Sequence, residues 1–160
     1  MNEAELKKHL DRAEKSAKEI AAAVSGLSPD VLRYKPSQEK WSILELLAHL
    51  ADIEIVYAYR LRQMLADEKP VLAPMDQDAW AKHLGYMEMA APELVALYGL
   101  NRHYTLRLLR RLKPADLEKA AFHPEQQAND TVARLVEMMS GHGANHLEQI
   151  EKLKKEAKRK

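Results

Sequence analysis

Leu6, Leu10, Ala13, Ala17, Ile20, Val24 and Leu27 recur at intervals of three and four, which winds one apolar stripe along a helix of 3.6 residues per turn. The spacing predicts a helix over residues 3–25, stopped by Gly26 and then by Ser28-Pro29-Asp30. A connection through Tyr34, Lys35 and Pro36 leads to Trp41-Ser42. Ser42 with Glu45 three positions later forms a capping-box signature, so a second helix is expected to start there and to run to about residue 68. Residues 69–91 contain Pro70, Pro74 and Gly85 and cannot form one helix, although Asp76 to Leu84 suits a short one. A third helix is expected from near Pro92 to Pro114, with Leu94, Leu97, Tyr98, Asn101, Thr105, Leu108 and Leu112 inward and a basic outer face. After a connection containing His123-Pro124-Glu125, Asn129 or Asp130 is the expected cap of a last helix. Its stripe is Val132, Leu135, Val136, Met139, His142, His146, Ile150 and Leu153.

Four helices of this length, each about 30–40 Å long, predict an all-α four-helix bundle with long connections between helices. The 160 residues fit one domain over 1–160 with one core. The balance of 46% hydrophobic and 31% charged residues is that of a folded chain and not of a disordered one. A net charge of +1 gives no field that would favour nucleic acid or an anionic membrane. Arg102, Arg107, Arg110, Arg111 and Lys113 make a basic run on the third helix, which reads as a solvated face. The lysine-rich tail complements a helix C-terminus and needs no partner. The charged N-terminus lacks the apolar core of a secretory signal, and no stretch reaches the ~18 apolar residues of a spanning helix, so the cytoplasm is the expected location.

With no cysteine, the chain offers neither thiolate ligand nor thiol nucleophile, and any metal must be held by nitrogen and oxygen. His142 and His146 stand four residues apart, one turn along the same helix face, with Cβ atoms about 5–6 Å apart. Both continue an apolar stripe, and so does His49, which falls in line with Leu46, Ile53 and Val56. Three imidazoles buried without a common purpose would each need separate partners, which favours a shared metal ion over three separately satisfied rings. Asp52, Asn145 and Gln149 each follow one of these histidines by three residues and are candidates to orient the rings or a bound nucleophile. Gly141 and Gly143 flank His142 within the helix, where each costs about 0.8–1 kcal/mol against Ala. That cost makes sense where another backbone or a ligand comes close. His9, His83, His103 and His123 read as surface or boundary residues. Trp80 and Tyr86 are candidates for a substrate wall, with core cover as the simpler role for Trp80.

The run from Trp41-Ser42 through His49-Leu50-Ala51-Asp52, then Arg60, His123-Pro124-Glu125 and Gly141-His142-x-x-Asn145-His146-Leu147-Glu148-Gln149 resembles the DinB-like superfamily over nearly the whole chain. That superfamily includes metal-dependent hydrolase-like proteins and bacterial thiol-dependent S-transferases. The resemblance implies a four-helix bundle, often a homodimer, with His49, His142 and His146 holding a divalent ion such as zinc or nickel. Three protein ligands and an open position form the catalytic pattern, in which a bound water or thiol becomes a nucleophile. The expected function is therefore metal-dependent hydrolysis or S-transfer on a small-molecule substrate, with any thiol arriving as a small molecule. Asp52 and Gln149 are the expected orienting residues. A metal-stabilised binding or stress-related module without chemistry is the alternative.

Overall fold

A computed structural model of the chain describes residues 1–159. Its long helices are α1 (Glu3–Val24), α3 (Ile43–Ala66), α5 (Ala91–Leu109) and α7 (Val132–Ala157). Shorter elements join them: α2 (Pro29–Arg33), α4 (Gln77–His83), a 3-10 turn (Tyr86–Glu88), α6 (Pro114–Leu117), and a hairpin of β1 (Ala120–His123) with β2 (Ala128–Thr131). The caps explain the starts. Asn2 and Glu5 box the first turn of α1, while Ser42 and Glu45 do the same for α3, as the sequence predicts. Gly26 takes a φ of 71°, the left-handed conformation that ends α1 without a Cβ penalty.

The apolar residues fall into two clusters stacked along the bundle axis. One joins Leu6 and Leu10 of α1, Leu61 and Met64 of α3, Leu106 and Leu109 of α5, and Leu135 and Val136 of α7. The other joins Ile20 and Val24, Leu44 and Leu47, Leu94 and Tyr98, and Ile150 and Leu153. The start of α1 thus meets the start of α7, and the ends of α3 and α5 meet each other. It follows that α1 and α7 are parallel, α3 and α5 are parallel, and the two pairs run in opposite directions. The connection between α3 and α5 must therefore travel the length of the bundle, which accounts for its 24 residues, 67–90.

Between the clusters lies a polar layer. Arg102, 1% exposed at its side chain, pairs with Glu54, which is fully buried, through Nε to Oε2 at 2.8 Å and Nη2 to Oε1 at 2.5 Å. Its Nη1 donates to the carbonyls of Met139 at 3.2 Å and Ala13 at 3.4 Å. This corrects the basic face expected on the third helix, since Arg102 points into the core and Arg110 is drawn to Glu14. The inner face of α5 is Leu94, Tyr98, Arg102, Thr105, Leu106 and Leu109, whereas Leu97 is 40% exposed.

The hairpin was not expected, and it moves the cap of the last helix. Asn129 and Asp130 lie in β2, and Thr131 instead accepts from the Arg134 amide at 3.2 Å. The connection after α3 meets this hairpin at one parallel bridge, Leu72 N donating to Phe122 O at 2.9 Å and Phe122 N to Pro70 O at 3.0 Å. Among the described residues no helix is long and apolar enough to cross a membrane.

The two glycines beside His142 differ in cause. A Cβ at Gly143 would meet Ser16 Oγ and Tyr98 Oη at 2.7 Å, so α1 and α5 close on α7 there, whereas a Cβ at Gly141 would meet nothing within 4 Å. Gly141→Ala should therefore raise stability by up to about 1 kcal/mol through helix propensity. Gly143→Ala should lower it, by about 1–3 kcal/mol, as overpacking does. Urea unfolding midpoints of the two variants check both signs.

Candidate metal centre

His49 is brought to His142 and His146 because α3 and α7 cross antiparallel just beyond the polar layer. Nε2 of His142 lies 3.1 Å from Nε2 of His49 and 3.1 Å from Nε2 of His146. One ligand atom from each ring lies within 4.8 Å of the others, and among the described residues no other group of three or more potential ligands forms. A divalent ion with bonds of about 2.1 Å sets its nitrogens about 3.0 Å apart on an octahedral face and about 3.4 Å apart in a tetrahedron. Both 3.1 Å spacings fall within that range, and the third pair of ligand atoms, on His49 and His146, lies within 4.8 Å.

The proton inventory points the same way. A neutral imidazole has one N–H and one lone pair, so three Nε2 atoms at one point cannot all satisfy each other by hydrogen bonding. A cation accepts all three lone pairs. Gln149 Oε1 lies 2.8 Å from Nδ1 of His146 and, being an acceptor, fixes the proton there and leaves Nε2 bare. Nδ1 of His49 and of His142 are buried without a partner.

Burial, followed by the neighbouring His146, draws the pKa of His49 down to about 4. His142 is lowered further by burial, by His146 and His49, and by the Arg102 guanidinium. His146 is lowered by burial against the opposing bond from Gln149. All three rings are therefore neutral near pH 7, the form that binds metal.

Of the expected orienting residues, Gln149 reaches a ring. Asp52 is instead engaged by Tyr86, whose hydroxyl donates to Oδ2 at 2.5 Å. Burial and that carboxylate push the Tyr86 phenol well above its usual range. Asn145 is exposed and makes no bond to the histidines. Tyr86 is buried, and half-buried Trp80 packs against the second cluster, which is core cover. His83 and His103 are exposed as expected. His9 is a boundary residue whose Nδ1 lies 2.7 Å from Ser140 Oγ, and His123 is buried and not a surface residue.

Two aromatic neighbours were missed as parts of the site. The Trp41 ring centre lies 5.1 Å from that of His49, and Tyr57 stands edge-on to His142 at 6.0 Å. The signal for Tyr57 was its position eight residues after His49, two turns along the same stripe. A cleft of about 520 Å³ opens beside His146 and Gln149, with Trp41, Leu46 and Leu153 in its walls. Lys40, Lys152, Glu39 and Glu156 stand around it.

A family model described as the DinB superfamily matches residues 12–150. An Oceanobacillus iheyensis protein named "Putative metal-dependent hydrolase OB0782" is 30% identical over 113 residues. That match covers 71% of this chain and 64% of the relative, under two thirds of its length. The Bacillus subtilis protein YuaE, named as uncharacterized, is 28% identical over 85% of this chain and 91% of its own. Among solved structures, Bacillus subtilis YfiT, titled a probable metal-dependent hydrolase with an unusual four-helix bundle topology, superposes with a TM-score of 0.91. It covers 98% of this chain and 89% of its own at 20% identity, a likeness of fold.

The histidines also set a pH dependence in the metal-free protein. His49 titrates near 6.5 in an unfolded chain and at about 4 in the fold. Between those values the unfolded chain takes up a proton that the folded one refuses. Its contribution is complete above pH 6.5 and is lost as pH falls toward 4. The urea midpoint of the wild type should fall more steeply over that window than that of His49→Gln, with the two profiles parallel above pH 7.

Proposed function

Because the chain belongs to the DinB superfamily, we propose that it is a divalent-metal-dependent enzyme of the hydrolase type, acting on a small molecule that enters the cleft beside His146. The observation that carries this reading is the convergence of three Nε2 atoms with no fourth protein ligand beside them among the described residues. His49, His142 and His146 would hold the ion, with zinc or nickel the best fit to an all-imidazole set. When bound, such an ion would supply Lewis acidity, lowering the pKa of a water toward ~7 or polarising a carbonyl.

The chain's own residues do the rest. Gln149 keeps His146 in the ligating tautomer and turned toward the centre. Asp52, tied to Tyr86 through Oδ2, keeps its other oxygen for orienting a nucleophile. Trp41 and Leu46 exclude water from one side of the cleft. A low-molecular-weight thiol is the other nucleophile the reading admits, supplied from outside because the chain has no cysteine. The cytoplasm is the compartment this chemistry expects.

Protein purified without a histidine tag should contain about one metal ion per chain, lost in His49→Ala and His146→Ala. The loaded wild type should hydrolyse members of an amide and ester panel. Gln149→Ala should reduce that rate about 10–100-fold while the fold is kept. Turnover only with thiols and electrophiles would select S-transfer. Stoichiometric metal without turnover on either panel would leave the metal-stabilised binding module.

We also propose a homodimer. Ile55 and Tyr59 on α3 and Leu97, Leu100 and Tyr104 on α5 are exposed large apolar residues on the two packed helices, and Arg62 of α3 lies 5.0 Å over the Tyr104 ring. A patch of this kind supports association. Sedimentation should show a dimer that Leu100→Glu converts to monomer; a monomeric wild type at high concentration rejects it.

A further inference from the structure

Arg60 is a buried cation with no carboxylate bonded to it. It is 8% exposed, its Nη2 donates to the Ala73 carbonyl at 2.6 Å, and its Nε has no partner. The contrast with Arg102, which is paired on one edge and bonded to carbonyls on the other, is plain. An unpaired buried guanidinium is costly, and burial draws its pKa down against Tyr57, Asp130 and Glu125.

What surrounds Arg60 is also incomplete. In the hairpin Ala121 pairs with Asp130 and His123 with Ala128. Alternation therefore puts His123 and Asp130 on one face as diagonal neighbours, with Phe122, 38% exposed, on the other. His123 is 5% exposed and Asp130 3%, and each keeps an unpartnered buried atom, Nδ1 of His123 and Oδ2 of Asp130. The other Asp130 oxygen accepts from Arg134 Nε at 2.8 Å. Arg60 is tied to the hairpin through the chain itself, because it bonds Ala73 and the residues just before Ala73, Pro70 and Leu72, bond the backbone of Phe122. Arg60, on which the charge of Asp130 acts, and His123, the diagonal neighbour of Asp130 on the same hairpin face, thus each keep a hydrogen bond unmade, as does Asp130 itself. Glu125, on the exposed turn of the hairpin, is the other acidic group whose charge acts on Arg60.

We propose that Arg60, His123 and Asp130 form a recognition site for an oxyanion that carries one O–H, as in a monoprotonated phosphate or a hydroxycarboxylate. Nε–H and the second hydrogen of Nη2 make a side-on fork for two oxygens. His123 in its Nδ1–H tautomer supplies a further donor. Asp130 Oδ2 accepts the ligand's O–H and repels an anion that has none, so the carboxylate sets specificity while the arginine supplies attraction. Arg60 stands eleven positions beyond His49 on α3, about 16 Å along the helix. The site is therefore separate from the three-histidine centre and stands whether or not that centre is catalytic.

The test uses the full chain as purified, titrated at pH 7 with inorganic phosphate, sulfate, glycolate and acetate, and followed by the Arg60 Nε–H resonance and by thermal shift. Phosphate or glycolate should saturate that resonance, and the partner lacking an O–H, sulfate or acetate, should bind about tenfold more weakly, the worth of one hydrogen bond. Saturation by phosphate alone identifies a phosphate ligand, and by glycolate alone a hydroxycarboxylate. Glu125→Gln, a change on an exposed turn that leaves the packing intact, should tighten binding. Arg60→Gln should abolish it. No saturable shift with either O–H anion overturns the proposal, as does equal affinity for both members of each pair or binding that persists in Arg60→Gln.

Discussion

The Glu54–Arg102 pair is the contact on which the arrangement of the bundle depends. Arg102 lies on α5 and bonds the side chain of α3, the carbonyl of Ala13 on α1 and that of Met139 on α7, so all four long helices meet at one guanidinium. Apolar clusters above and below tolerate small slips, because dispersion and burial are non-directional. A fork of charged hydrogen bonds does not. The pair fixes how far along its axis each helix stands. Removing one partner of such a pair costs about 3–5 kcal/mol, because the other is left charged and buried.

The same register positions the histidines. Met139 precedes His142 by three residues and Glu54 follows His49 by five, so the ring nitrogens converge within one or two turns of the fixed layer. Arg102 also contributes its field, which helps to keep His142 unprotonated. Parallel pairing of α3 with α5 forces the connection between them to run back along the bundle. That passage brings Tyr86 to Asp52 and the start of α4 to the cleft beside His146. A topological demand thus furnishes part of the wall of the site.

Signals carried within a few residues were legible in the chain. The stripes of α1 and α7, the Ser42–Glu45 box, the stop at Gly26 and the three histidines on apolar faces all rest on local periodicity or capping chemistry. Features set by distant partners were not. Arg102 stands among other basic residues and reads as surface until Glu54, 48 positions away, is known to face it. The hairpin has strands of four residues, and its turn, Pro124 to Gln127, lacks the Asn-Gly or Asp-Gly signal. Asn129 and Asp130 are the stronger cap candidates by type, but β2 runs on to Thr131, so the helix starts at Val132 and the capping position falls to Thr131. Asp52 has helical spacing to reach a ring, yet Tyr86, from the 3-10 turn in the long connection, takes one of its oxygens.

That last displacement bears on the charge around the three histidines. Three neutral imidazoles would give a divalent ion no compensation for its two positive charges, and the fixed charge that acts on His142 is a cation, Arg102. Asp52, the carboxylate one turn from His49, spends Oδ2 on Tyr86, and Glu54 is spent on Arg102. The core thus uses its two nearby carboxylates to hold the scaffold and leaves none among the ligands. An ion bound by these rings would need its charge compensated from outside the chain, and the cleft beside His146 is the opening through which an anion would come. An ion held by His49, His142 and His146 would thus lack both a fourth protein ligand and a compensating carboxylate, and the arrangement that secures the fold is what leaves the three rings so.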